Sequence, residues 1–399
     1  MSGDYAFYIE DYSTELKQHI NLSENAWLVI DEDIKNFYEN KEKESKSGFL
    51  NRIFRNFYQR AEASIPLRRI EKKEELAKLY ASEEFSSLSK ETIALFIDKY
   101  VQVYEAELRE KVNSYPNGRG EKFRVNKENL DILRDVLRDM EADTYQGSIG
   151  KYLKPIYEEY VTKPAYLREQ IFFNDVIDKI HSAISRQMKL KIALNEQISA
   201  IGDKKYTGKY YLSPYRIVTD KTNTFNYVIG YSEKIIEKIQ TDEHGNTRRT
   251  SYALEKQPAC FRISRIAKID IQVSMGAKIS QEHAAELEKM LVKRGVMFMT
   301  SAPSNIKIKF TPKGLESFKR QLYMRPQFYT VDPRDKYLYT FQCTELQAIN
   351  YFFKFGWDAF IVEPKSLSEQ FRLRYERALK TYQGMDKGEI LSSESPSGE

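Results

Sequence analysis

YYLSPYRIV (210–218), FNYVIGY (225–231) and CFRISRI (260–266) decide how this chain is read. Each run is rich in β-branched and aromatic residues and reads as a strand. Together they gather Tyr211, Tyr215, Arg216, Tyr227, Tyr231, Arg262 and Arg265 into one small, basic β module. Flat aromatic faces among guanidinium groups stack bases and hold phosphates. On their own they break no bonds. The module therefore points to a binder of a nucleic acid or nucleotide, with no catalytic residue assigned.

Working outward, the segment from Arg186 to Lys268 carries sixteen Lys/Arg against eight Asp/Glu, and seven tyrosines. The whole chain has a net charge of only +5, so the remainder is slightly acidic. MKLKIAL, the Tyr210 run, FNYVIGY, the 233–257 stretch and CFRISRIAKIDIQV predict about five strands. HGN (244–246) marks a hairpin tip, with Arg248 and Arg249 just beyond it. Five short strands in so few residues predict a small barrel, because closure removes exposed edges.

Strand periodicity puts Phe225, Tyr227, Ile229 and Tyr231 on one face, so Tyr227 is either core or ligand contact. Arg262 and Arg265 fall on opposite faces of a regular strand unless a bulge turns one of them. Arg262 is then the ligand residue and Arg265 fixes a loop. Arg216, beside Pro214 and Tyr215, is either a ligand contact or a structural ion-pair partner. Lys204, Lys205 and Lys209 add further cations for phosphates.

The 399 residues suffice for two to four domains. Hydrophobic residues make up 41% and charged residues 30%, the balance of a globular protein with a polar lean. No apolar run approaches the ~20 residues that span a bilayer, and the first residues lack a secretory layout, so a cytoplasmic location is expected. Two distant cysteines and four scattered histidines give no disulfide framework, no metal-ligand spacing and no nucleophile motif. PNGRG (116–120) lacks the Gly-Lys-Ser/Thr ending of a phosphate loop. No cofactor is expected.

LKQHINLS (16–23) alternates and reads as one strand, followed by a helix over ENAWLVIDEDIKNFYEN and a second over 47–65 with Ser47 as its cap. A lone strand with two helices cannot cover its own edge, so two copies are expected to pair strands antiparallel. Leu16, Ile20 and Leu22 point inward, and Lys17, His19 and Asn21 outward. Residues 67–185 read as helices, with NSYPNGRGEKF (113–123) as a loop. No internal repeat is legible. From 279 onward the order helix, strand, helix, strand pair, helix, strand, helix predicts an α+β sandwich, and 383–399 has the composition of a disordered tail.

The chain as a whole thus reads as α+β and multidomain. Residues 181–275 resemble a WYL domain, through PYRIV, VIGY and FRISRI; the signature Trp-Tyr-Leu stands here as Asn226-Tyr227-Val228. Residues 276–382 resemble the C-terminal extension of such domains, most clearly in FFKFGWDAFIVEPKSL (352–367). Residues 1–66 resemble a ribbon-helix-helix head, and 67–180 form a helical connector. This combination is similar to the WYL-domain accessory proteins of type VI-D CRISPR–Cas systems. The resemblance implies a small Sm-like barrel whose basic, aromatic patch binds single-stranded RNA, with Tyr211, Tyr215, Arg216, Tyr227, Arg248, Arg262 and Arg265 as contacts. It also implies a homodimer that stimulates an RNA-guided effector nuclease without cleaving RNA itself. Lys17, His19, Asn21 and Ser47 are the head's nucleic-acid contacts. The alternative is a DNA-binding transcriptional regulator whose WYL domain senses a nucleotide or nucleic-acid ligand.

Overall fold

The computed structural model describes residues 17–38, 45–82, 85, 87–139, 145, 148–194, 199–201, 204–220, 225–241, 247–300 and 302–386. The strand and first helix of the head form where predicted, as β1 (Lys17–Leu22) and α1 (Glu24–Phe37), while the second, α2 (Lys46–Phe57), ends eight residues before its predicted limit at 65. Ile20 and Leu22 point into the core while Lys17 and His19 face solvent. Leu16 lies outside the described residues. Helix α1 begins where the Ser23 hydroxyl accepts from the Ala26 amide at 3.1 Å, satisfying an orphan donor. The cap of α2 is Ser45, which accepts from Gly48 at 3.0 Å, and not the expected Ser47.

The edge of β1 is taken by the same chain. After the hairpin of α3 (Ile65–Tyr80) and α4 (Lys90–Ser114), the expected loop contains strand β2 (Arg119–Arg124). It pairs antiparallel with β1, from Lys17 opposite Arg124 to Leu22 opposite Arg119. Strand pairing with a second copy is therefore corrected: β2 already satisfies the backbone donors and acceptors that such a copy would meet.

Helices α5 (Lys127–Asp139) and α6 (Ile149–Thr162) follow β2. They complete a second strand-helix-helix unit that repeats the first at a constant step of 103 residues, as from Ser23 to Asn126 and from Ser45 to Ser148. Asn126 caps α5 by accepting from Asn129 at 2.9 Å, as Ser23 caps α1. Ser148 caps α6, as Ser45 caps α2. Phe49, Leu50, Ile53, Phe54 and Phe57 correspond to Tyr152, Leu153, Ile156, Tyr157 and Tyr160, and all ten are buried. The repeat overturns the reading that none exists. Over 17–34 and 45–57 only Ser45/Ser148, Leu50/Leu153 and Ile53/Ile156 are identical, so its signal lies in caps and apolar spacing.

Helix α6 ties the units together. Tyr157 donates to the Leu50 carbonyl at 3.0 Å, and the Glu158 carboxylate accepts from the Ser23 amide at 2.6 Å and hydroxyl at 2.9 Å. Tyr160 and the Arg168 guanidinium close on buried Asp33 at 2.8 and 2.6 Å. One core runs from Ile20 to Ile269, unbroken at the expected domain limits near residues 66 and 180. Helices α7 (Ala165–Phe172) and α8 (Asn174–Ser185) carry it to the sheet.

That sheet contains β3 (Met188–Leu194), β4 (Ser199–Ile201), β5 (Lys204–Asp220), β6 (Phe225–Thr241), β7 (Thr247–Ala253), β8 (Gln257–Arg262) and β9 (Ile266–Gly276). The order is β7-β6-β5-β3-β9, with β4 on β5 and β8 on β6. It is a curled sheet, and among the described residues no pairing joins β9 to β7 or β8. The predicted single strand over 260–273 is two, split by a 3-10 turn at Ile263–Arg265.

The C-terminal part contains α9 (Gln281–Arg294), β10 (Ser304–Phe310), α10 (Pro312–Arg320), β11 (Tyr329–Asp332), β12 (Asp335–Cys343), α11 (Glu345–Phe352), β13 (Ala359–Glu363) and α12 (Lys365–Asp386). From β10 to β13 this is the predicted β-α-β-β-α-β succession. Its antiparallel sheet runs β11-β12-β10-β13 over a core that includes Phe310, Phe318, Phe341 and Phe352. The chain turns into β13 at Gly356, whose φ of +57° suits glycine. Helix α12 continues to Asp386, past the start of the expected tail; 387–399 lie outside the described residues.

Candidate nucleic-acid interfaces

The long hairpin of β5 and β6 presents the predicted face. Register places Ser213 beside Tyr231, Arg216 beside Ile229, Val218 beside Tyr227 and Asp220 beside Phe225. Strand β8 continues the same face, with Arg262 opposite Tyr227. The β5 register shifts between Pro214 and Arg216, and this irregularity turns Arg216 onto the face.

Helix α9 covers the middle of this face. Leu287, Met290 and Leu291 pack against Tyr227, Ile229 and Tyr231, with Val296 and Met299 beside them. Glu288 accepts from Arg216 Nε at 2.8 Å and Nη2 at 2.9 Å, and the Tyr231 hydroxyl donates to Glu286. The Arg216 hydrogen bonds hold the Glu288 carboxyl below the usual range, with a further hydrogen bond from Tyr215. Tyr227 is 8% exposed, and burial pushes its hydroxyl up to about 12. Tyr227 is therefore core and Arg216 an ion-pair partner; a base cannot stack on Tyr227 while α9 lies there. Tyr215 is half-buried at the margin of the same cluster.

Beyond α9 the face has two ends, where Tyr211, Phe225 and Arg262 are half-buried. At one, Tyr211 stands in register between Lys191 and Glu233, and Lys189 pairs with Glu233 at 2.7 Å. At the other, the Arg262 guanidinium lies over the Phe225 ring at 3.2 Å from its centre. Arg265, on the 3-10 turn, is exposed beside this end. The turn separates the two arginines, which resolves the conflict a regular strand would impose. Arg248 lies on β7, and its side chain, like those of Lys204 and Lys205, is outside the described residues.

Behind Arg262 sits a bracket that the sequence reading missed. Glu169 is fully buried; one of its oxygens accepts from the Asn226 amide at 2.6 Å and from the Asn226 side chain at 2.7 Å. The Asn226 side-chain oxygen accepts from Gln170 and Thr219, each at 2.9 Å, and its NH2 also donates to the Tyr166 carbonyl at 2.8 Å. Arg262 Nε stands 3.9 Å from the second Glu169 oxygen. Burial pushes the Glu169 carboxyl up, against the pull of Asn226, Ser264 and Arg262. Asn226 thus fastens β6 to α7.

In the head, Lys17 and His19 are exposed, but Asn21 and Ser47 serve the fold. The Asn21 side chain accepts from the Gly118 amide at 2.7 Å, and the Ser47 hydroxyl accepts from the Arg124 amide at 3.2 Å. Lys122 and Arg124 of β2 join Lys17 and His19 on the solvent face of the ribbon. The loop reading of 113–123 hid β2 and, with it, Lys122. Among the described residues no cluster of His, Cys, Asp and Glu has the makings of a metal site, and no helix is long and apolar enough to cross a membrane.

The fold has a close counterpart. Over 92% of its length the chain superposes on a CRISPR Cas-related protein of known structure, covering 94% of that protein, with a TM-score of 0.64 and 23% identity. At this identity the likeness establishes a shared fold. The proteasome accessory factor B/C of Arthrobacter aurescens is a much weaker neighbour, with a TM-score of 0.27 and 14% identity over 67% of this chain and 39% of that one. No protein-family model matches the chain, and no curated protein matches it.

Proposed function

We propose that the chain is a non-catalytic accessory of a CRISPR system that binds single-stranded RNA and stimulates cleavage by an RNA-guided effector nuclease. The observation that carries this reading is the arginine-aromatic end of the β5–β6 face. There, a guanidinium stacked on Phe225 adjoins the exposed Arg265. A base stacks on such a platform while the arginines meet phosphates, and unstacked RNA also offers its 2′-hydroxyl. The near full-length likeness to a CRISPR Cas-related protein supports the setting. The homodimer and the cytoplasmic location belong to the same proposal.

The test is salt-dependent binding of the full chain to single-stranded RNA and to single-stranded DNA of matched sequence, with Arg262→Ala and Arg265→Ala. The reading expects a preference for RNA, weakened at least about tenfold in Arg262→Ala, with a smaller salt slope in Arg265→Ala. Equal RNA affinity in all three proteins, in variants that melt like the parent, removes the site from this end.

A further inference from the structure

Two neighbouring residues of α7 tie it to different parts of the chain. The Arg168 guanidinium donates from Nε and Nη2 to the buried Asp33 carboxylate of the head, at 2.6 and 3.0 Å, and from Nη1 to the Lys163 carbonyl at 2.7 Å. The next residue, Glu169, turns to the sheet. One of its oxygens accepts from the Asn226 amide and side chain, and the other faces Arg262 Nε at 3.9 Å. The Arg262 guanidinium thus has this carboxylate at its Nε and the Phe225 ring against its flat face, 3.2 Å from the ring centre. Asn226 fixes the carboxylate from β6, and Asp33 fixes the helix that carries it.

We infer that Glu169 is a positioning residue for the RNA site: it never meets RNA, and it holds the Arg262 guanidinium flat on Phe225 before RNA arrives. The inference rests on the RNA reading above. Glu169 is fully buried, so a ligand cannot reach it. An arginine side chain explores many rotamers, and fixing one of them during binding weakens the complex. A buried carboxylate at Nε fixes it beforehand. A role confined to fastening α7 to β6 needs only the oxygen that Asn226 uses, and a neutral amide would supply that oxygen without burying a charge. A buried charge is unfavourable unless a partner answers it, and Arg262 is the cation that answers this one. The residue that orients the sheet's arginine therefore comes from the connecting helices.

The experiment pairs RNA binding with a signal from Arg262 itself, in the full chain. Glu169→Gln keeps an oxygen for the Asn226 donors and removes the charge; its melting curve shows that it is folded. Its affinity for single-stranded RNA should fall about three- to tenfold. Added to Arg262→Ala it should change nothing further, as expected of a residue that acts through another. The second readout is nuclear magnetic resonance of the protein without RNA, with isotope-labelled arginine. The Arg262 Nε–H signal, identified by its loss in Arg262→Ala, should stand apart from those of exposed arginines and exchange slowly with solvent. Both properties should vanish in Glu169→Gln. A fastening role alone predicts unchanged RNA affinity and an unmoved signal. RNA binding weakened in Arg262→Ala but not in Glu169→Gln overturns the inference and leaves the RNA reading standing. So does an Arg262 signal in the parent that exchanges like those of exposed arginines, which requires no Glu169 variant. RNA affinity unchanged in Arg262→Ala removes the RNA reading and the inference together.

Discussion

Glu288 grips Arg216 with both carboxylate oxygens, at 2.8 and 2.9 Å, and so fastens α9 across the aromatic face of the sheet. The pair is more than a third exposed, so its contribution is about 1 kcal/mol or less after solvent screening. Its sign with pH is fixed. Glu288 is held below its unfolded value near about 4.3, so the stability it adds is present above that value and lost as pH falls through the depressed one. Glu288→Gln should melt slightly lower than the parent at pH 7. The two melting temperatures should converge as pH falls through the depressed value. A gap that persists at low pH would assign the effect to something other than the carboxylate.

Asn226 makes its contribution through Glu169. Asn226→Ala strips that carboxylate of a side-chain donor and leaves the partners of the amide unmet, at a cost of about 1–3 kcal/mol in denaturant titration. Asn226→Asp places a second carboxylate against the first and should cost more than alanine at neutral pH. If aspartate were the milder change, Glu169 would be protonated throughout the neutral range.

Two glycines of the sheet should respond oppositely. A Cβ on Gly230 would stand 2.1 Å from the Ser213 carbonyl oxygen, a backbone atom that cannot swing aside. Gly230→Ala should lose about 1–3 kcal/mol. Gly276 has nothing within 4 Å of such an atom, and Gly276→Ala should stay within about 0.5 kcal/mol. Chemical denaturation of both variants checks the contrast.

Leu50 and Leu153 are equivalent, fully buried positions of the two strand-helix-helix units. Leu50→Ala and Leu153→Ala should each cost about 2–5 kcal/mol. Because one core joins both units to the sheet, either change should lower a single unfolding transition, seen alike by far-ultraviolet dichroism and by tryptophan emission of buried Trp27. Two separated transitions would show that the head folds independently of the sheet.

Much of this fold was legible in the chain. Alternation in HINL turned Ile20 and Leu22 inward as found, alternation in FNYVIGY placed Tyr227, Ile229 and Tyr231 on one face, and the C-terminal succession of strands and helices was read in order. Three things escaped. Gly, Pro and Asn around 116–120 concealed β2, because turn-forming residues and a short polar strand look alike locally. The repeat left three identities in the compared segments, since a buried aromatic in one unit is met by a different aromatic in the other. The covering of Tyr227 was hidden because burial by α9 is a tertiary event; periodicity gives the face but not what lies on it.

A ribbon assembled from two chains comes apart on dilution, and its occupancy follows the square of protein abundance. With both strands on one polypeptide, no concentration enters the folding equilibrium of the head. The ribbon is complete at a few molecules per cell. Substitutions can also accumulate in one half without being imposed on the other, a freedom that a symmetric pair of identical chains never has.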